Sequence, residues 1–388
     1  MQPGKGEGYA VWVREMLTAV RQSARPMVSL FDSSVPEPKH LLAPLVANAF
    51  EDPLTDRYVS AFASGNPYLH DALSKRYSVP EDCILTWTGA ADAIDFICRV
   101  FCAPKDHIIV ESPGFDIFEA SARRNRCAVS KLERDHATGG FDITALKSLV
   151  RPNTKLIIIS DTHNPTGRAL SPFLLEKLVE TAEEYGIHVV LDAVYADYSE
   201  RGFGGRPVSV SSPNLLTVSS LTKIFGLSTL RCGWIMGHPD ALAPLEDHRA
   251  AFGSSISNLT HAISSLVVEE PSAFAAYTAS ILGQAQPIME EVFSEWQRLG
   301  ISDEAIPPTG PITFPRLIGI DDTREFSQRV FRESGLIVVP GELFGKSGHI
   351  RIGFAKPAYD LNKALTILTD AILAERNRLA VSGQRAVG

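Results

Sequence analysis

The chain has 388 residues, of which 45% are hydrophobic and 21% charged, a composition typical of a folded globular protein. Its length predicts two domains of roughly 100–250 residues each. The formal net charge of −8 argues against nucleic-acid binding, because contact with phosphates requires a basic surface. No stretch approaches the ~20 apolar residues that a membrane-spanning helix needs, and the N-terminus does not have the pattern of a targeting signal.

The five cysteines are odd in number and contain no C-x-x-C pair, which favours reduced thiols in a cytoplasmic protein over a disulfide framework. Cys98 and Cys102 lie four residues apart and could share one face of a helix as metal or redox partners. No histidine or further cysteine stands beside them at a ligand spacing, so we interpret both as small buried hydrophobic residues.

Short apolar runs alternate with stretches in which apolar residues recur every three or four positions. This alternation predicts βαβ units around a mostly parallel sheet covered by helices, an α/β fold. Ligands of such sheets bind at the carboxyl ends of the strands, so functional residues are expected just after each strand. The predicted strands are residues 83–88, 107–111, 155–160, 188–192, 215–220 and 233–237, and the clearest predicted helices are residues 91–101 and 172–186.

After about residue 265 the pattern changes to long helical stretches with a few strands between them, which predicts a smaller α+β domain. We place a large domain at 40–265 and form the small domain from 1–39 and 266–388. The predicted helices here are residues 272–299, 323–334 and 359–378, and the predicted strands are residues 312–318, 336–340 and 349–355.

Lys223 follows the predicted strand 215–220 directly, close to the hydroxyls of Ser220 and Thr222. A lysine amine can form a Schiff base with an aldehyde, and partial desolvation makes it nucleophilic by lowering its pKa. Arg231 cannot lose its charge and suits a phosphate, to which the two hydroxyls could also donate. Taken alone, however, a loop lysine more often extends into solvent.

Two other strand ends carry compatible residues. Asp192 ends an apolar strand, where a carboxylate is costly unless something pairs with it. A protonated pyridine nitrogen would be such a partner, and this pairing makes pyridoxal phosphate (PLP) an electron sink. Tyr195 and Asn164 could both donate to the phenolic oxygen of the same cofactor. Each residue alone could equally belong to a turn or a helix cap, but their placement at successive strand ends favours a PLP site.

Five separated motifs resemble the signature set of class I/II aminotransferases, PLP-dependent enzymes of fold type I. The resemblance spans residues ~85–355 and implies a large domain with a mostly parallel central sheet and a smaller α+β domain. It also implies a homodimer with shared active sites. The motifs are HNPTG 163–167, LDAVY 191–195, SLTK 220–223 with RCGW 231–234, PGELFG 340–345 and HIRIGFA 349–355.

The resemblance implies a role for each matching position. Lys223 would hold PLP as a Schiff base and carry the proton between the substrate Cα and the cofactor. Asp192 would pair with the pyridine nitrogen, and Asn164 and Tyr195 with the phenolic oxygen. Arg351 would bind the substrate carboxylate through a bidentate fork that lysine cannot reproduce. Catalytic roles therefore fall on Lys223, Asp192 and Tyr195, and no metal is predicted.

The remaining predicted contacts surround the cofactor. Ser220, Thr222 and Arg231 would hold the phosphate, helped by backbone N–H groups at the helix start Gly89, Ala90 and Ala91. Phe115 would stack on the cofactor ring, and Asn164 and Ser34 are further predicted substrate contacts.

Departures from the family pattern affect the surroundings of this site. Ala90 and Ala91 stand where many relatives carry a hydroxyl, and His70 replaces a usual arginine. Tyr58 is the nearest candidate for a phosphate contact across the dimer, although its spacing is two residues too long. Ser34 lies in a segment that resembles the one closing over substrate, at a position where glycine is common.

We therefore predict a cytoplasmic aminotransferase that moves the α-amino group of an amino acid to a 2-oxo acid by a ping-pong mechanism. Other PLP reactions on an amino acid remain open alternatives: C–S or β-elimination, decarboxylation, cyclisation and oxidation. A non-catalytic PLP-binding regulator is disfavoured because Lys223, Asp192 and Arg351 are all present and the chain has no room for a DNA-binding domain before residue ~30. Neither nucleic acid nor membrane is an expected partner.

Overall fold

The computed structural model describes residues 8–23, 27–49, 57, 65–199, 202–203, 209–252, 256–308 and 310–386. The helices in this part of the chain are α1 (Tyr9–Gln22), α2 (Lys39–Ala49), α3 (Pro67–Tyr77), α4 (Ala90–Phe101), α5 (Asp116–Arg124), α6 (Ile143–Leu149), α7 (Pro172–Tyr185), α8 (Leu221–Ile224), α9 (Pro239–Phe252), α10 (Asn258–Glu269), α11 (Ser272–Arg298), α12 (Thr323–Ser334) and α13 (Ala358–Ala386).

The strands are β1 (Val28–Ser29), β2 (Ile84–Trp87), β3 (His107–Ser112), β4 (Ala128–Glu133), β5 (Thr154–Ser160), β6 (His188–Asp192), β7 (Tyr198–Ser199), β8 (Gly202–Phe203), β9 (Leu215–Ser220), β10 (Gly233–Gly237), β11 (Ile312–Thr313), β12 (Leu336–Ile337), β13 (Val339–Pro340) and β14 (Ile350–Gly353).

A seven-stranded sheet in the order β2-β10-β9-β6-β5-β3-β4 forms the centre of the large unit. Its strands run parallel except β10, which is antiparallel to both of its neighbours. Alternate residues of β5 pack into different hydrophobic clusters, Leu156 and Ile158 in one, Ile157 and Ile159 in the other. Because successive side chains of a strand point to opposite faces, the sheet is covered on both sides. The predicted α/β fold is confirmed.

Strand β4, which was not predicted, lies at one edge of the sheet and pairs only with β3. Leu132 is its one buried residue, so the strand lacks the continuous apolar run of the central strands. The charged side chains of Lys131 and Glu133 disfavour pairing of this edge strand with another chain.

The C-terminal part forms a smaller unit around the three-stranded sheet β11-β14-β13. Helices α11 and α13 pack together there, with Trp296 and Leu368 in a common buried cluster. The N-terminal strand β1 joins this part by pairing with β12. None of the described helices combines the length and the apolar character needed to cross a membrane. The domain boundaries remain predictions.

Two predicted strands of this unit are shorter or divided. The predicted strand 312–318 is regular only over Ile312–Thr313. Pro315 follows closely, and it has no backbone N–H to donate to a neighbouring strand. The predicted strand 336–340 divides at Val338, since Leu336–Ile337 pairs with β1 and Val339–Pro340 with β14.

Candidate active site

Three neighbouring parallel strands, β9, β6 and β5, end at the same edge of the large sheet. The chain beyond these ends carries Lys223, Asp192 and Asn164, so the sheet brings all three to one cleft. The predicted gathering of residues from successive strand ends is therefore seen in the fold.

Lys223 lies in the short helix α8, which begins directly after β9. Its Nζ donates a hydrogen bond to the Ser33 hydroxyl at 2.7 Å and lies 6.0 Å from the centre of the Tyr195 ring. Burial lowers the pKa of Lys223, and the charge of Arg351 lowers it further, against an opposing contribution from Asp192. A buried amine with a lowered pKa is suited to act as a nucleophile and proton carrier.

Asp192 and Tyr195 are buried polar groups that have few partners in this chain. The Val194 N–H donates to Asp192 Oδ1 at 3.3 Å, yet burial raises the pKa of the carboxyl to about 6. The Tyr195 hydroxyl is buried beside Ser33 but makes no hydrogen bond of good geometry within the described part of the chain. Burial raises its pKa to about 12. Buried polar atoms of this kind usually have a partner, so both point to a ligand in the cleft.

A buried polar network holds the turn that carries Asn164. The Asn164 N–H donates to Ser160 Oγ at 2.9 Å, and the Ser160 hydroxyl in turn donates to Glu111. Glu111 forms an ion pair with Arg134, and both side chains are completely buried. Glu111 and Arg134 were not predicted as site residues. The acidic residue at the end of an apolar strand was the signal that could have found Glu111.

Arg351 lies on β14 with only 1% of its surface exposed. Its Nη1 donates to Asn164 Oδ1 at 3.4 Å, which connects the small sheet to the cleft. Its Nη2 donates to the Tyr9 hydroxyl at 2.5 Å and to the Phe31 carbonyl at 2.7 Å. The guanidinium carbon also lies 4.9 Å from the centre of the Tyr9 ring and 5.1 Å from that of Phe344. Tyr9 and Phe31 were not predicted from the sequence.

The predicted phosphate-binding residues meet where β9, β10 and β2 lie side by side. Gly233 on β10 pairs with Ser220 on β9 and with the end of β2. Gly89 precedes helix α4 with a φ of +126°, and a Cβ at this position would lie 2.9 Å from Arg231 Nη2. Glycine is therefore required both by the backbone conformation and by the close approach of the guanidinium.

The other predicted site residues differ in their exposure and contacts. Phe115 is half-buried and lies edge-on to Tyr9, with ring centres 5.5 Å apart. Thr222 and Ala90 are half-buried and Ala91 is exposed. Ser33, the residue before Ser34, contacts Lys223 through its hydroxyl, and the substrate contact predicted for Ser34 stays a prediction. Tyr58 lies outside the described residues, so its predicted dimer contact stays a prediction.

The sequence profile of the family Aminotransferase class I and II matches residues 61–368. The chain belongs to this family. The predicted PLP-dependent aminotransferase activity, its amino acid and 2-oxo acid substrates and its PLP cofactor are thereby confirmed as family properties, while the particular substrate stays open.

Named relatives span several activities. Histidinol-phosphate aminotransferase 2 of Nitrosospira multiformis is 26% identical over 80% of this chain and 76% of its own length. Capreomycidine synthase of Streptomyces vinaceus is 24% identical over 76% and 75%. A PLP-dependent aminotransferase from Streptococcus suis has the same fold, with a TM-score of 0.80 and 22% identity over 93% of this chain and 97% of its own.

The cleft of this aminotransferase fits PLP. The Lys223 amine is available for a Schiff base, and the buried Asp192 carboxyl, with its raised pKa, offers a place for a protonated ring nitrogen. The buried Tyr195 hydroxyl can donate to the phenolic oxygen. The Arg231 guanidinium, which lies close to Gly89 at the start of α4, supplies positive charge for a phosphate.

Proposed function

We propose that this aminotransferase carries out its reaction in the cleft at Lys223, moving an α-amino group from an amino acid to a 2-oxo acid in two half-reactions. The convergence of Lys223, Asp192, Asn164 and Arg351 from separate parts of the chain supports this assignment most strongly. PLP, when bound, withdraws electrons from the substrate Cα and so allows a proton there to be lost.

Lys223 is proposed to hold the cofactor and then to move the proton at the substrate Cα. Its amine has a lowered pKa, so it can release its own proton and accept one from carbon. Tyr195 and Asn164 orient the cofactor through its phenolic oxygen. Asp192 keeps the ring nitrogen protonated, and the surrounding apolar burial strengthens this pairing by excluding water.

Arg351 is proposed to bind the substrate carboxylate. The Nε–H and the outer Nη2–H form one guanidinium fork, and the Nη1–H and Nη2–H form the other. Either bidentate grip therefore uses Nη2, which in this structure contacts Tyr9 and Phe31. The incoming carboxylate must displace at least one of these groups, so Tyr9 is proposed to move away from the guanidinium when substrate binds.

We further propose that the protein acts as a cytoplasmic homodimer, as the resemblance to class I/II aminotransferases implies. The exposed side chain of Arg231 is compatible with completion of the phosphate site by a second chain. All five cysteines are free, as expected for a reducing compartment. Sedimentation velocity tests the dimer, since a purely monomeric holoenzyme would contradict it.

The test of the site compares the wild type with Lys223→Ala and with Lys356→Ala. Lys356 is a matched control because its Nζ is paired with Asp32 at 2.8 Å near the same cleft. After incubation with PLP and reduction with borohydride, the wild type and Lys356→Ala should retain a covalent cofactor adduct, and peptide mapping should locate it at Lys223. An adduct retained by Lys223→Ala would show that another lysine carries the cofactor.

Another PLP reaction at the same site is the second candidate, favoured by the similarity to capreomycidine synthase. L-Amino acids added singly to the holoenzyme, without a 2-oxo acid, separate the two candidates. Transamination converts the visible band of the bound cofactor into the shorter-wavelength band of its amine form and releases one equivalent of keto acid. A persistent visible band with accumulating ammonia, carbon dioxide or peroxide would instead identify a lyase, decarboxylase or oxidase.

A further inference from the structure

Two histidines and a glutamate form a cluster that the proposed reaction does not use. His136 lies in the loop between β4 and α6, Glu304 lies between α11 and β11, and His349 directly precedes β14. One ligand atom from each of the three lies within 4.8 Å of the others. Three distant segments therefore bring two imidazoles and one carboxylate to a single point.

Hydrogen bonds orient the two imidazole rings of this cluster. His349 is buried, with 7% of its surface exposed, and its Nδ1 lies 2.9 Å from the Ser347 carbonyl. Because a carbonyl only accepts, Nδ1 carries the proton and Nε2 keeps its lone pair, the arrangement common among metal-binding histidines. Nε2 makes no hydrogen bond to any described residue. His136 Nε2 lies 2.7 Å from Glu304 Oε2, while its buried Nδ1 has no partner within the described part of the chain.

The surrounding residues hold these ligands in place. The His349 ring stacks on Phe314 with centres 5.1 Å apart, and the two imidazole rings have centres 5.0 Å apart. The other carboxylate oxygen, Glu304 Oε1, accepts from the Arg316 N–H at 3.3 Å. One oxygen of the carboxylate is thus oriented by the backbone, and the other faces His136.

We propose that His136, Glu304 and His349 form a binding site for a Zn²⁺ ion. Two imidazole nitrogens and one carboxylate oxygen are a frequent zinc donor set, with a fourth position left for water. Tetrahedral bonds of about 2.0–2.1 Å would place the ligand atoms roughly 3.4 Å apart, so small side-chain rotations bring the three into range. This site is independent of the proposed function.

Neighbouring charges make Glu304 the decisive ligand. Arg168 donates to the Ala305 carbonyl at 2.8 Å and interacts electrostatically with Glu304. Lys346 interacts electrostatically with His349. The positive charges of Arg168 and Lys346 repel a divalent cation. A carboxylate that loses its charge should therefore lose the metal, whereas its backbone support would remain.

A Zn²⁺ ion bound to His136 and His349 would link the loop after β4 in the large unit to the start of β14 in the small unit. Arg351 lies on β14, two residues beyond His349. Binding of Zn²⁺ to the folded protein alone should also raise its melting temperature, because a ligand of the native state stabilises that state.

The experiment titrates ZnCl₂ into metal-free holoenzyme by calorimetry, in a buffer that does not coordinate zinc. His136→Gln and Glu304→Gln should each bind one equivalent fewer than the wild type. His238→Gln is the matched control, because His238 also faces a carboxylate, Asp240 at 3.4 Å, but forms no three-ligand cluster among the described residues. Zinc-edge X-ray absorption of the wild type should show two histidine ligands.

Absence of zinc binding by the wild type, or unchanged stoichiometry and affinity in both His136→Gln and Glu304→Gln, would overturn the proposal. Circular dichroism and the visible band of the bound cofactor verify that each variant is folded. They also separate a failure of this site from a failure of the cofactor assignment. His136 is the first choice for substitution because 27% of its side chain is exposed, which makes a folding defect less severe than at His349.

Discussion

The Tyr9 hydroxyl and the Arg351 guanidinium are joined by a hydrogen bond of 2.5 Å across 342 positions of the chain. The Tyr9 N–H donates to Asp116 Oδ2 at 2.6 Å, so the start of α1 also contacts the start of α5 in the large unit. Tyr9 therefore lies between the arginine proposed to bind the carboxylate and Phe115, the ring proposed to stack on the cofactor.

Tyr9→Phe removes the hydroxyl that the substrate carboxylate is proposed to displace and keeps the ring beside the guanidinium. A hydrogen bond to a charged group is worth about 1.5–3 kcal/mol, so the KM for the amino acid should fall by roughly 10- to 150-fold. Steady-state kinetics measure this change. Tyr359→Phe, at a position 78% exposed, is the control and should leave KM unchanged. A higher KM in Tyr9→Phe would mean that the hydroxyl helps to hold the substrate.

Ser33→Ala should shift the reaction of Lys223 with PLP to lower pH. The Ser33 hydroxyl accepts a hydrogen bond from the charged amine and thereby favours its protonated form. Without this bond the pKa of Lys223, already lowered by burial, should fall further. The rate at which cofactor-free protein develops its visible band, followed against pH, reports the midpoint. Ser34→Ala should keep the wild-type midpoint, and equal midpoints in all three proteins would contradict the assignment.

Asp192→Asn should stabilise the cofactor-free protein while weakening its affinity for PLP. Burial raises the pKa of Asp192 from 3.8 to about 6, so its contribution to stability is present below pH 4 and is lost as the pH rises through 6. Replacing the charge should therefore raise the free energy of unfolding by up to about 3 kcal/mol at pH 7.5 and by much less at pH 4.

Urea unfolding at both pH values measures the effect of Asp192→Asn. Asp197→Asn provides the contrast, because Asp197 is buried in an ion pair with Arg76 and its replacement leaves that cation unpaired. Asp197→Asn should therefore destabilise the protein. Destabilisation of cofactor-free Asp192→Asn at pH 7.5 would refute the expected charge penalty.

Glu111→Gln should destabilise the protein by about 3–5 kcal/mol, since it leaves the Arg134 guanidinium buried without a countercharge. Denaturant unfolding measures the loss. Glu119→Gln breaks the exposed ion pair with Arg123 and should change stability by less than about 1 kcal/mol. Similar effects of the two substitutions would show that the buried pair contributes no more than a surface one.

The central strands could be predicted closely from the sequence, whereas the edge strand β4 could not. The predicted strands 188–192, 215–220 and 233–237 agree with the observed bounds residue for residue. Each is buried along nearly its whole length and has apolar residues at its centre, although polar residues stand at the ends of β6 and β9. Strand β4 has one solvent-exposed edge, so its composition did not distinguish it from a loop.

The proposed cofactor residues could also be located from the sequence, because each stands at or just after a predicted strand. Lys223, Asp192 and Asn164 each follow a strand closely, and parallel strands that are neighbours must end at the same edge. Their convergence therefore depended only on strand prediction and on the strand order of a parallel sheet.

The partners of these residues were decided by tertiary structure alone. Ser33 lies 190 positions from Lys223, and Tyr9 lies 342 positions from Arg351. No periodicity or turn rule relates residues so far apart, because such contacts depend on how α1 and the chain after β1 pack against the completed sheets. The sequence thus determined the strands and the chemical groups at their ends, whereas the packing of the N-terminal segment decided what those groups contact.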